Sequence, residues 1–185
     1  MQYNKLVRDK VVDNLKTQGY QKISGTKVKG KQYKEKLYSL FFAEYKETLA
    51  TENINQLHIH YADMLEVVKT LMLATKTKIN DIDFDKNRTF EWFKKSSPSK
   101  QKLGEARINL LQRFEELLGM KTEAIRDQLA DLLTSLKDVI NANNLSFVKV
   151  ESVRRVMYDK LGGFKKGIYL ESVSKTKTAS SAYAI

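Results

Sequence analysis

Apolar and polar residues alternate along this chain with a helical period over most of its length. From Gln32 to about Leu49 the apolar positions are Leu37, Leu40, Phe41, Tyr45 and Leu49, a spacing of three and four that predicts one amphipathic helix. Thr51–Asn55 has turn composition, and then Leu57, Tyr61, Met64, Leu65, Val68, Leu71 and Met72 predict a core-facing helix of about five turns. A third helix of roughly a dozen residues is expected after Asp81–Asp85, and Ser96-Ser97-Pro98-Ser99 reads as a linker. The first 31 residues are rich in lysine, with Lys22, Lys27, Lys29 and Lys31 set among Gly25 and Gly30, so a short helix near residues 8–18 and then a loop or small hairpin are expected. One proline and eight glycines leave long stretches free of helix breakers, and the fold class expected is all-α.

The half after the linker resembles the half before it. At an offset of 68, Tyr61-Ala62-Asp63-Met64-Leu65 lies over Leu129-Ala130-Asp131-Leu132-Leu133, Lys69 over Lys137, Ala74 over Ala142, Ile82 over Val150 and Phe90 over Tyr158. One residue of slip puts Ala43-Glu44-Tyr45-Lys46-Glu47-Thr48-Leu49 over Gln112-Arg113-Phe114-Glu115-Glu116-Leu117-Leu118. Two amphipathic helices of similar length always align to some degree, but a duplicated helical hairpin accounts for more of the matches. Two hairpins can bury their stripes against each other as a four-helix bundle. The expected organisation is one compact domain: a basic N-terminal segment 1–31, a first helical repeat 32–95, a second repeat 100–170 and a disordered tail 171–185, whose Ser, Thr, Lys and Ala content lacks core-forming residues.

Composition narrows the function classes. The 185 residues contain no cysteine, which removes disulfides, thiolate nucleophiles and iron–sulfur clusters and fits a reducing, cytoplasmic location. No apolar run approaches the eighteen or so residues of a bilayer span, so no membrane partner is expected. Thirty-three Lys and Arg against 22 Asp and Glu give a net charge of +11, a field that attracts nucleic acid, anionic membrane or a polyphosphate. Charge alone does not choose among them, and a nucleic-acid partner is not favoured, since no helix-turn-helix, RNA-recognition or zinc pattern is visible.

Two constellations carry candidate chemistry. Glu44 and Glu47 lie three apart on the first long helix, and His60 and Asp63 three apart on the second, so each pair projects to one side of its helix. If hairpin packing joins the pairs, three carboxylates and an imidazole would surround a space suited to a hard divalent ion that keeps waters for a phosphate to replace. On helices of a soluble protein such residues are also commonly solvated or hydrogen-bonded at the core margin. The second constellation is basic. Lys5-Leu6-Val7-Arg8-Asp9-Lys10 packs three cations into six residues, and Lys160-Leu161-Gly162-Gly163-Phe164-Lys165-Lys166 combines glycine backbone with ammonium groups. Such runs bind phosphate oxygens, or else open and close helices at a solvated surface.

Taken together these segments resemble the all-α nucleotide pyrophosphohydrolases of the MazG-like and phosphoribosyl-ATP pyrophosphohydrolase-like superfamily. One branch opens with a segment like Asn4-Lys5-Leu6-Val7-Arg8-Asp9-Lys10, continues through helices bearing Glu-Glu-x-x-Glu and Glu-x-x-Asp, and closes with a Gly-Gly-Phe turn like Gly162-Gly163-Phe164 followed by an apolar segment like Ile168-Tyr169-Leu170. The resemblance covers about residues 3–171, with the second hairpin as a duplication. It implies a four-helix-bundle core of two tandem hairpins with short terminal extensions, and Mg²⁺-dependent (or Mn²⁺-dependent) release of pyrophosphate from a nucleoside triphosphate or related nucleotide. Glu44, Glu47 and Asp63 would be catalytic and, with His60, would hold the metal, while Lys5, Arg8, Lys10, Lys160 and Lys165 would bind phosphates. The motif is incomplete: Ala43 and His60 stand where the family has glutamates, and Leu161 stands where arginine is common. The second copy carries Gln112, Arg113, Glu116, Gln128 and Asp131, a set short of acids. A second expectation follows, a catalytically degenerate relative that binds a nucleotide or a partner protein. Either form could be a monomer or a homodimer.

Overall fold

The computed structural model describes residues 1–75, 100–119 and 125–175. Their order is β1 (Gln2–Val7), α1 (Val11–Thr17), β2 (Lys22–Lys27), α2 (Gly30–Ala50), α3 (Ile54–Ala74), α4 (Lys100–Gly119), α5 (Ile125–Ala142), α6 (Phe147–Leu161) and β3 (Ile168–Ser174). The expected third helix after Asp81–Asp85 and the linker at 96–99 lie outside the described residues. The protein is mostly helical, but it is not all-α, because it also has a three-stranded sheet.

That sheet corrects the reading of both chain ends. Its order is β1-β3-β2, with the C-terminal strand in the middle and antiparallel to both neighbours. Val7 pairs with Ile168 and Lys5 with Leu170 on one side, and Lys22 pairs with Ser174 and Lys27 with Ile168 on the other. The strand β3 continues through Glu171–Ser174, so the tail expected to be disordered begins with four residues of central strand. These pairings join residues 141 to 165 positions apart, which no local periodicity registers.

The chain forms two compact units, Met1–Leu40 with Met157–Ile185, and Phe41–Val156. In the first, Val7, Leu15, Leu170 and Val173 form a small core, flanked by Tyr3, Val11, Val12, Tyr20, Ile23 and Ile168. The apolar face of α1 thus packs on one face of the sheet, the ordinary way a short amphipathic helix and a sheet satisfy each other. In the second unit, α4 packs against α5, and α5 against α3. Asn53 caps α3 by accepting the backbone N–H groups of Asn55 and Gln56.

Burial in the second unit follows the offset found in the sequence. Phe41, Tyr45 and Thr48 on α2 are buried, as are Leu110, Phe114 and Leu117 on α4. Tyr61, Met64, Leu65, Val68, Leu71 and Met72 on α3 are buried, and so are their counterparts Leu129, Leu132, Leu133, Leu136, Val139 and Ile140 on α5. Phe41 and Phe114 stack with ring centroids 4.2 Å apart. Leu49, expected in the stripe of α2, is instead 50% exposed.

A charged network links α3 and α6. Arg154 donates to both Glu66 and Glu151, and Lys69 Nζ donates to Glu151 Oε1 at 2.8 Å. Burial pushes the Glu151 carboxyl up, but hydrogen bonds and positive charge from Arg154 and Lys69 outweigh it and hold the group at about 2.

Candidate functional site

The acidic constellation lies in the second unit. Glu44 on α2 and His60 on α3 meet, with Glu44 Oε2 2.7 Å from His60 Nδ1 and both side chains largely shielded from water. Helical spacing places them so: each sits one residue before a fully engaged core tyrosine, Tyr45 or Tyr61, and therefore at the margin of its stripe. Tyr61 anchors that margin, since its hydroxyl accepts from Asn143 Nδ2 at 2.8 Å; burial pushes this phenol up, against hydrogen bonding from Thr48 and Arg107. Asp63 is half-buried, one turn along α3 from His60, and Glu47 is exposed on α2.

Of the four residues expected to hold a metal, one from each helix is thus joined in a direct contact. Among the described residues, no three or more His, Asp or Glu side chains come together in a way that could hold a metal ion.

The second copy of the motif uses a different arrangement. Arg113 Nη1 stands 3.1 Å from Glu116 Oε2 and 3.7 Å from Asp131 Oδ2, so a guanidinium bridges the two acids that this copy retains. Gln128 Oε1, at the position equivalent to His60, is buried and has no hydrogen-bond partner among the described residues.

The basic constellation lies in the first unit, where the structure brings its two halves together. Asp9 N donates to Gly163 O at 2.7 Å and Lys10 N to Leu161 O at 2.8 Å, while Lys166 N returns to Asp9 Oδ1 at 2.8 Å. Lys10 Nζ donates to Asp159 O and Asn14 Nδ2 to Lys160 O. A third segment joins them, since Val28 N donates to Gly167 O and the Tyr33 hydroxyl to Phe164 O. Three turns, at 8–10, 160–167 and 27–31, are therefore stitched together at one end of the sheet. Gly162 permits this closeness: its φ is +77°, and a Cβ there would stand 3.0 Å from Asp9 Cβ.

The five residues expected to bind phosphate divide into two kinds. Lys5, Lys10, Lys160 and Lys165 are exposed. Arg8 is only 4% exposed, donates to Gly162 O at 2.8 Å and lies with its guanidinium carbon 5.1 Å from the Phe164 ring centroid. Its observed contacts hold the closing turn. Sequence reasoning missed Asp9, Asn14 and Tyr33 as the residues that tie the turns together. Their only sequence signal is proximity to the Lys5–Lys10 run or to the lysine-rich loop.

No protein-family model matches the chain, no curated protein matches it, and no solved structure matches it.

Proposed function

We propose that this chain is a MazG-like descendant that binds a nucleotide or related phosphorylated molecule at the basic clasp of its first unit, without a divalent ion. The observation that carries the reading is the reciprocal bonding of residues 9–10 to residues 161–166, which gathers Lys10, Lys160 and Lys165 beside glycine backbone. Ammonium groups gathered in this way suit the oxygens of a phosphate chain. Two hairpins, α2–α3 and α4–α5, then form a four-helix-bundle core; the matching burial at equivalent positions supports it. The Glu44–His60 contact and the Arg113 bridge support loss of metal use, because each occupies acids that a cation would need.

The test is a thermal-shift titration with a panel of nucleotides and inorganic pyrophosphate in EDTA and in Mg²⁺, alongside a pyrophosphate-release assay. Stabilisation in EDTA that is lost in Lys10→Ala/Lys160→Ala/Lys165→Ala is the expected result. Stabilisation only with Mg²⁺, abolished by Asp63→Asn, or release of pyrophosphate from any nucleotide, overturns the reading in favour of the Mg²⁺-dependent pyrophosphohydrolase.

A further inference from the structure

The net positive charge of the chain lies almost wholly in one unit. Met1–Leu40 with Met157–Ile185 holds fifteen of the thirty-three Lys and Arg but only five of the 22 Asp and Glu, a surplus of ten out of the net +11. Phe41–Val156, with the remaining eighteen and seventeen, is close to neutral. Eleven lysines of the basic unit are exposed among its described residues. They also extend beyond the clasp. The strand β2 is an edge of the sheet, five of its six residues are exposed, and it carries Lys22 at one end and Lys27 at the other, with Lys29 just beyond. Lys175 follows Ser174, the partner of Lys22, so both ends of the edge are basic. Lys22 and Lys27 are five residues apart in extended chain, about 17 Å, a span longer than the phosphates of a single nucleotide.

We infer that the β2 edge is a binding surface for a polymeric phosphodiester, a nucleic acid strand held through its backbone phosphates. Lysines repeated along an extended edge match phosphates repeated along a strand, and contact of this kind needs no base-reading motif. An anionic membrane is a poorer fit, because the basic unit carries few large exposed apolar side chains to enter a bilayer, Met1 and Tyr158 among its described residues. An acid beside the edge is engaged: Glu171 accepts from the Ser24 hydroxyl at 2.7 Å. The inference does not rest on the nucleotide reading, which concerns Lys10, Lys160 and Lys165.

The experiment measures polarisation of a labelled single-stranded 20-nucleotide oligomer against the full chain from 50 to 200 mM salt. For three to five phosphate contacts, affinity is expected to fall roughly ten- to a hundredfold over that range, a slope of about 0.7 per contact. Lys22→Gln/Lys27→Gln/Lys29→Gln should weaken binding at 50 mM salt at least tenfold and lower the slope by about 2, with an unchanged melting temperature. A control pair in the neutral unit, Lys46→Gln/Lys149→Gln, should leave affinity and slope within twofold. Binding that is absent, insensitive to salt, or unchanged by the edge triple overturns the inference. So does edge-dependent binding to vesicles containing phosphatidylserine without binding to the oligomer. A single nucleotide that competes equally, and depends on the clasp lysines alone, overturns the polymer surface while sparing the nucleotide site.

Discussion

His60 Nδ1 and Glu44 Oε2 stand 2.7 Å apart, so a histidine of α3 takes up a carboxylate of α2 that its position leaves mostly out of water. Removing the imidazole withdraws one partner from a largely buried acceptor, and His60→Ala is expected to cost about 1–3 kcal/mol. His60→Glu has a different outcome, because it sets a second carboxylate against Glu44 and the two repel. That variant should melt below the wild type in EDTA and recover on addition of Mg²⁺, whereas the wild type should be indifferent to the ion. Thermal melts of both proteins in the two buffers decide it, and equal stabilisation of the wild type by Mg²⁺ would sink the idea.

Arg8 and Lys165 share a charge but not a role. The Arg8 guanidinium is spent on Gly162 O and on the face of Phe164, and Lys165 is exposed. Arg8→Ala should therefore lower stability by roughly 2–3 kcal/mol, through a lost buried hydrogen bond and lost packing. Lys165→Ala should change it by less than about 0.5 kcal/mol. Urea denaturation with Tyr fluorescence measures both, and equal effects would show that Arg8 is not a clamp.

What was legible in the sequence tracks how local the cause is. The stripe of α3 was read from Leu57 to Met72, and those residues are buried, because a 3.6-residue period is a property of a single segment. Burial also follows the 68-residue offset for the same reason. The strand β1 was invisible, since Gln2–Val7 alternates poorly, and the bulge between Gln2 and Lys5 breaks the period that would mark it. Its existence depends on β3, whose last four residues have a Ser- and Glu-containing composition that reads as tail. At the site, the Lys5–Lys10 and Lys160–Lys166 segments meet through backbone hydrogen bonds, which charge along the sequence does not register. Arg8 reads as a phosphate ligand by charge, but burial beside Gly162 is decided by a chain reversal 154 residues away.

Glu66 and Arg154 form the most enclosed ion pair of those described, with side chains 4% and 12% exposed. Arg154→Met removes the guanidinium partner of the enclosed Glu66 carboxylate and should cost about 3–5 kcal/mol. Adding Glu66→Leu to it should recover much of that loss, since a matched apolar pair carries no desolvation penalty. A double-mutant cycle in urea tests the coupling, and strictly additive losses would refute it.

The same network sets a pH dependence. Glu151 is held at about 2 in the folded protein against an ordinary 4.5, so between those values the unfolded chain binds more protons than the folded one. Its contribution is complete above pH 4.5 and is lost as pH falls through about 2. Urea midpoints measured from pH 5.5 down to 2.5 should decline more steeply for the wild type than for Glu151→Gln. Parallel curves would remove Glu151 as the cause.

Two glycines of this chain should respond in opposite senses to alanine. Gly167 has a φ of +62°, and a Cβ there would lie 2.5 Å from Val28 O, part of the backbone that bonds back to Gly167 O. Neither atom can yield without opening the junction of β2 and β3. The left-handed conformation alone costs about 1–2 kcal/mol for a side chain, so Gly167→Ala should lose at least that much and loosen the clasp. Gly104 lies within α4, has no atom within 4 Å of the added carbon and has no positive φ. Alanine there should raise stability by roughly 0.5–1 kcal/mol through reduced backbone entropy in the unfolded chain. Hydrogen exchange resolves the two cases: Gly167→Ala should speed exchange at Val28 and Lys166, and Gly104→Ala should slow it along α4. Protection at Val28 that survives Gly167→Ala would show that the close approach to Val28 O does not hold the turn.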